Sequence, residues 1–358
     1  MRMKRTKSGK TPLSAQIKKK HEKETLKNED EKYDGVNQIV STGSTLLDLA
    51  ISGGRFPEGG IPLGILVEIF GPSGTGKTVL LSQIAGNVQR MGGEVMFHDP
   101  EARLDKQFAS MFGLNIPSIN YTIPDTVPQV FGSIRKWISD NENETLERPF
   151  VVCADSLAAL STDMEMTKDE GDKMGMRRAK EFSEELRKTC RAITQQNILV
   201  VGSNQIRQNL DAGPWGQKYK SPGGEAIGFY SSLRLRCMNP QKIKIKRVYR
   251  GQDYERIVGI QVSIDVFKSS VWSPFRSAEL FIIYNYGIDD IRGNLVFLKN
   301  ATRDSVYSIG DRKLGRAIGK AIREVETESL ESELKAKTIE VWNEIEKEFE
   351  EPRRPREW

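Results

Sequence analysis

Apolar and polar positions follow two different patterns along this chain. Residues 64–70, 94–97, 150–154 and 198–203 are short apolar runs rich in β-branched and aromatic side chains, as expected of strands buried on both faces. Between them, residues 76–90, 127–139 and 176–195 carry apolar side chains at helical spacing, the first stretch closed by Gly92 and Gly93. This alternation of strands and helices predicts an α/β fold with a mostly parallel sheet covered on both faces.

From residue 231 the pattern changes. Residues 233–238, 243–248, 257–267 and 278–286 read as consecutive strands separated by turns, which predicts antiparallel pairing. Gly287 opens a smaller unit that ends in a Glu/Lys-rich helix over 329–349, with Leu330, Leu334, Ile339, Trp342 and Ile345 as its apolar face. At the other end, residues 11–28 predict a short helix whose stripe, Leu13 and Ile17, is too thin to bury much alone.

Composition narrows the function classes. The chain has 358 residues, 37% hydrophobic and 29% charged, enough for a large packed core. No run approaches the ~20 apolar residues of a membrane span. The basic start has no apolar stretch after it, so the expected location is cytoplasmic. Three cysteines without metal-like spacing argue against a disulfide framework, and two histidines argue against a His-rich zinc site or a Ser-His-Asp hydrolase. The net charge of +5 leans toward anionic partners. Charge is unevenly spread: residues 1–20 carry eight Lys/Arg and no acid, and residues 321–358 carry seven Lys/Arg against twelve acids. These ends are either solvated tails or segments with roles of their own.

The strongest chemical signal is Gly71-Pro72-Ser73-Gly74-Thr75-Gly76-Lys77-Thr78, which fits G-x-x-x-x-G-K-[ST] between a strand and a helix. The glycines let backbone N–H groups converge on phosphate oxygens, and the helix N-terminus adds positive potential. Lys77 reaches the β- and γ-phosphates, and Thr78 offers a hydroxyl to Mg²⁺. Asp155 ends an apolar strand, where such an acid holds the magnesium hydration shell. His98-Asp99-Pro100-Glu101 follows another strand, which places Glu101 to deprotonate an attacking water; His98 is read as structural rather than as a ligand. Gln205, at a third strand end, is the candidate γ-phosphate contact. The segment after it, 206–222, holds Arg207, Lys218, Lys220 and Trp215; it is either a nucleic-acid-contacting loop or an ordinary surface loop.

Taken in order, these motifs resemble the RecA family of strand-exchange recombinases. Ser41-Thr42-Gly43-Ser44 and Leu47-Asp48 lead into Val67-Glu68-Ile69-Phe70-Gly71 and the phosphate loop. Asp155-Ser156-Leu157-Ala158-Ala159-Leu160 is similar to the second ATPase strand and its exit. Asn204-Gln205-Ile206-Arg207 and Gly223-Gly224-Glu225-Ala226 are similar to the two ends of the second DNA loop. The stretches 278–288 and 308–315 resemble the last core strand and a shortened C-terminal domain. The resemblance spans roughly residues 36–350.

The resemblance implies an α/β fold: a RecA-type P-loop ATPase core with a mostly parallel central sheet, an N-terminal helix and a small C-terminal α/β domain. It divides the chain into a docking helix and tail (1–35), a core with DNA-binding loops (36–286), a C-terminal domain (287–352) and a tail (353–358). It makes Glu101 the catalytic glutamate, extends the phosphate cradle to Val79, and gives the adenine to Asp105 and Phe108, with Tyr284 on the other side. Gln205 couples the γ-phosphate to the DNA loop. Met174 of a first DNA loop, 164–175, faces the strand. Arg178, Lys180 and Arg187 contact phosphates, as does Arg207. Leu210 is an apolar wedge between bases. Trp215, Lys218, Lys220, Gly223 and Gly224 complete the second loop. Phe229 and the N-terminal helix meet a neighbouring subunit.

The function implied is an ATP- and Mg²⁺-dependent recombinase that forms a helical filament on single-stranded DNA and exchanges it with homologous duplex, assisted by single-strand-binding or loader proteins. Two alternatives remain: a ring-forming motor or helicase, and a weakly hydrolysing nucleotide-dependent filament or interaction protein. Two departures from the family pattern bear on them. The family places two lysines, two residues apart, to reach the neighbour's ATP; here Lys268 is followed by Ser270. The C-terminus ends Arg353-Arg354-Pro355-Arg356-Glu357-Trp358 instead of in acids, which reads as a divergent, virus-encoded member.

Overall fold

The apolar strands of the sequence assemble into one twisted sheet. The computed structural model describes residues 38–141, 148–162, 174–208, 219–220 and 225–351. The chain divides into two units, Met1–Gln38 and Ile39–Trp358, and only the second is described beyond its edge. The expected N-terminal helix therefore lies outside the described residues, as do Leu210, Trp215, Lys218, Gly223 and Gly224 and the side chains of Phe108, Met174, Arg207 and Lys220.

The sheet has nine strands among the described residues. Their order is Gly287–Ile288, Ser277–Ile283, Gln252–Ser269, Leu233–Tyr249, Leu66–Gly71, Ile198–Gln205, Phe150–Ala154, Glu94–His98 and Asn120–Thr122. From Leu233–Tyr249 onward every ladder is parallel, and the three before it are antiparallel. The period-2 alternation of a strand explains how both faces are filled. Val151, Cys153, Leu199 and Val201 join one apolar cluster with Leu80, Leu81 and Ile84 of the helix Lys77–Arg90. Val152, Ala154 and Val200 join another, with Phe131 and Ile134 of Val127–Asp140 and Phe182 and Leu186 of Met174–Gln195. A 14-residue helix such as Lys77–Arg90 is marginal alone in water. Each buried Val, Leu or Ile side chain adds roughly 1.5–3 kcal/mol, so packing on the sheet is what holds it.

Several expectations change. The two strands predicted at 233–238 and 243–248 are one 17-residue strand, Leu233–Tyr249. Asn239 and Pro240 look like a turn in the sequence. Here they form a bulge: the register with the next strand jumps between Met238 and Gln241, and Asn239 takes φ 53°. Proline cannot donate to the ladder, but its partner strand continues past it and the pairing resumes. The strand expected to run to Tyr286 stops at Ile283. Helix Thr45–Ser52 went unpredicted because all eight of its residues are buried, which erases an amphipathic stripe. In the last helix, Glu331–Glu348, the buried residues are Leu334, Thr338, Val341 and Trp342, whereas Ile345 is exposed. That helix packs into a third apolar cluster with Leu295, Leu298, Ile309, Leu314 and Val325.

Candidate active site

Register brings the chemistry together. Gly71 pairs with Gln205 across the parallel ladder, and His98 pairs with Ala154. The phosphate loop, Glu101, Asp155 and Gln205 therefore leave the sheet at the same edge, the C-terminal edge of its parallel strands. They border a cavity of about 620 Å³, a size suited to a nucleotide. Ser73, Gly74, Gly76, Lys77, Thr78, Val79, Glu101, Asp105, Asp155, Gln205 and Tyr284 all line it. Gly71, Pro72 and Thr75 shape the loop from behind: Thr75 Oγ1 donates to Pro72 O at 2.8 Å.

Two glycines of this loop are required for different reasons. A Cβ on Gly71 would stand 2.2 Å from the backbone oxygen of Cys237, which cannot give way. Gly74 has open space around it but a left-handed φ of 74°. Lys77 crosses the loop, donating from Nζ to Gly71 O (3.0 Å) and Pro72 O (2.7 Å). Burial lowers its pKa, while Cys237, Asp155 and Glu101 oppose that shift.

The acids are held individually. Asp155 accepts a hydrogen bond from Ser203 Oγ, and its own N–H donates to His98 O at 2.9 Å. Glu101 accepts from Ser156 Oγ at 3.1 Å on one oxygen and pairs with Arg103 at 2.7 Å on the other. Asp99 is buried and fastens the intervening loop, accepting from Leu104 N (2.7 Å) and Tyr121 Oη (2.8 Å). His98 is structural, as expected. Its ring bonds Thr122 Oγ1 (2.6 Å) and Ser133 Oγ (3.0 Å), and burial pushes its pKa down to about 4. Cys153 lies in the core, its thiol pKa raised by burial.

Other predicted residues stand elsewhere. Lys268 Nζ is bonded to the carbonyls of Gly228 and Phe229. Phe229 itself is exposed. On the helix Met174–Gln195, Lys180 and Arg187 are exposed and seven residues apart, hence on one face. Arg178 points away from them, donating to Ala158 O at 3.1 Å. The three were expected to act together; helical geometry separates Arg178 from the other two. Sequence reasoning missed Asp99, Arg103, Ser156 and Ser203 as supports, and Phe112, Ile260 and Ile282 as apolar cavity walls. Only their adjacency to Glu101, Asp155 and Gln205 could have pointed to the supports; the walls come from distant segments.

The oxygen donors fit magnesium. The Thr78 hydroxyl and the Asp155 carboxylate border the same cavity, and no group of three or more metal-ligating side chains occurs among the described residues. Magnesium keeps several waters and substrate phosphates, so it needs few protein ligands.

A parallel-sheet core with a glycine-rich loop opening a helix, a lysine within it and an acid on a neighbouring strand defines a P-loop ATPase. The family model described as the RecA N-terminal domain matches residues 10–289. Proteins named Protein RecA are similar over most of the chain. That of Symbiobacterium thermophilum is 32% identical over 313 residues, covering 84% of this chain and 83% of its own. That of Borrelia hermsii is 34% identical over 311 residues, covering 83% and 81%. That of Bordetella pertussis is 33% identical over 251 residues, covering 70% and 65%. The chain belongs to the RecA family.

Proposed function

We propose that this chain is an ATP-dependent recombinase that assembles on single-stranded DNA as a helical filament and exchanges that strand with homologous duplex. The observation that carries the reading is the convergence of Lys77, Thr78, Glu101, Asp155 and Gln205 on one cavity, with Gln205 also opening the segment toward the second DNA loop. Lys77 and the loop N–H groups hold the ATP phosphates, and Asp105 and Tyr284 flank the adenine. Glu101 takes the proton of the attacking water. Magnesium, held by Thr78 and Asp155, would neutralise charge on the phosphate oxygens.

Gln205 sits at the exposed end of its strand, where a change at the γ-phosphate passes directly into the chain beyond. Lys180 and Arg187 stand on one exposed face, with Glu184 between them 3.8 Å from Lys180 Nζ, and offer their cations to the DNA backbone. Contacts of this kind leave the base edges free, so homology is tested by pairing and not by the protein. Phe229 and Lys268 meet the neighbouring subunit. Single-strand-binding or loader proteins are expected accessories. No helix among the described residues is long and apolar enough to cross a membrane.

A weakly hydrolysing protein is the second reading, favoured by Ser270 and by Arg276 being paired with Glu346 instead of free to replace the missing lysine. Imaging the protein on single-stranded DNA with a non-hydrolysable ATP analogue tests the first reading: open helical filaments support it, and closed rings overturn it. Turnover with and without DNA separates the second.

A further inference from the structure

The loop that carries Glu101 holds an arginine for which the ATPase motifs give no role. Arg103 lines the nucleotide cavity, and its Nη1 lies 2.7 Å from Glu101 Oε2. The residue between them, Ala102, has φ 50°, a left-handed backbone that an alanine keeps only where its surroundings impose it. Both sides of that turn are tied down. Ala102 N donates to Asp99 O at 3.0 Å, and the buried Asp99 carboxylate receives Leu104 N and Tyr121 Oη. The turn brings side chains two positions apart onto one another.

Both oxygens of Glu101 are thus engaged, Oε1 by Ser156 and Oε2 by Arg103. The two bonds are unequal. Ser156 is buried beside Asp155, whereas the Arg103 side chain is 79% exposed. An ion pair so open to solvent is the cheaper of the two to break.

We propose that Arg103 is a positioning residue for hydrolysis: it clamps the Glu101 carboxylate at the cavity rim, and water activation waits until that clamp opens. This rests on Glu101 being the base. With the clamp closed, an assembled subunit holds ATP without spending it; DNA-linked rearrangement of the site releases Oε2 to receive a water proton.

The test is steady-state ATPase of Arg103→Ala, Arg103→Lys and Glu101→Gln, with and without single-stranded DNA. Arg103→Ala should raise DNA-free kcat by about two- to fivefold, the upper figure corresponding to ~1 kcal/mol. The KM for ATP should not move, so the stimulation by DNA shrinks. Arg103→Lys, which keeps a cation in reach, should restore most of the restraint. An unchanged DNA-free kcat in Arg103→Ala, with Glu101→Gln inactive, overturns the clamp and leaves Glu101 as base. A lower kcat or a higher KM overturns it by placing Arg103 on the nucleotide. Normal hydrolysis by Glu101→Gln removes the base assignment and the clamp with it.

Discussion

Lys268 Nζ donates to the carbonyl oxygen of Phe229 at 2.8 Å, joining the proposed trans-acting cation to the proposed interface aromatic. The bond to Gly228 O at 2.9 Å completes the hold on the end of helix Glu225–Tyr230. Burial and the neighbouring Arg234 lower the lysine pKa, with Glu68 opposing. The cation and the Phe229 backbone therefore move together, and a neighbour that packs on the exposed Phe229 ring is in a position to redirect Lys268.

Lys268→Ala should lose DNA-stimulated hydrolysis while the isolated subunit still binds ATP through Lys77. Ser270→Lys should raise turnover by supplying the second charge, because Arg276 is already bound to Glu346 and stacked 3.8 Å over the Trp272 ring. ATPase rates on single-stranded DNA decide both. An unchanged rate in Lys268→Ala would sink the trans-acting role.

Lys77→Ala should abolish ATP-dependent DNA binding, since the β- and γ-phosphates lose their cation. Mobility of a labelled oligonucleotide with and without ATP measures it; normal ATP-dependent assembly by the variant would refute the site.

Gly71→Ala and Gly74→Ala should differ. The first drives a methyl to 2.2 Å from the Cys237 backbone oxygen and should separate two central strands, with loss of folding or of nucleotide binding. The second meets open space and costs only the left-handed backbone, about 1–2 kcal/mol. Thermal melts and ATP affinity of the pair test the contrast, and equal effects would contradict it.

Arg234→Met should destabilise the fold by roughly 3–5 kcal/mol, because Glu68 is fully buried and, among the described residues, would keep only its bond from Asn204. Removing both charges, with Glu68→Leu added, should recover much of that loss. Urea unfolding of the single and double variants gives the answer; a double variant no better than the single would show that packing of Arg234 between Phe70 and Phe267 is the larger contribution.

His98 should make the fold acid-sensitive. Its folded pKa, about 4, lies below the ordinary 6.5, so the unfolded chain takes up a proton first as pH falls. The stability of the neutral ring is complete above pH 6.5 and is lost progressively toward pH 4. His98→Asn should therefore lose less stability than the parent between pH 7 and 5 in urea melts; parallel declines would exclude the histidine as the source.

Much of the site was legible in the chain because it is local. The spacing from Gly71 to Thr78 fixes a strand, a turn and a helix start within eight residues, and Asp155, Glu101 and Gln205 each stand at or just beyond the end of an apolar strand whose direction a parallel sheet dictates. The apolar runs also determined the sheet core, since side chains that alternate between two covered faces leave few polar positions, Glu68 being one.

What the sequence could not determine depends on partners remote in the chain. Asn239 and Pro240 have the composition of a turn, and only the continuous strand Gln252–Ser269 beside them turns them into a bulge. Val341 and not Ile345 is buried because the cluster around Leu295 and Leu314 meets the helix at that angle. Helical spacing already sets Arg178 apart from Lys180 and Arg187, but only the packing supplies its partner, the Ala158 carbonyl. Arg103 reads as one more surface cation until the left-handed turn at Ala102, fastened through Asp99 to the distant Tyr121, sets it against Glu101. Periodicity and motif spacing encode which residues face the core and which chemistry lies at a strand end. Hydrogen bonds and ion pairs between separate segments have no such period, so tertiary packing alone decides how each catalytic group is held.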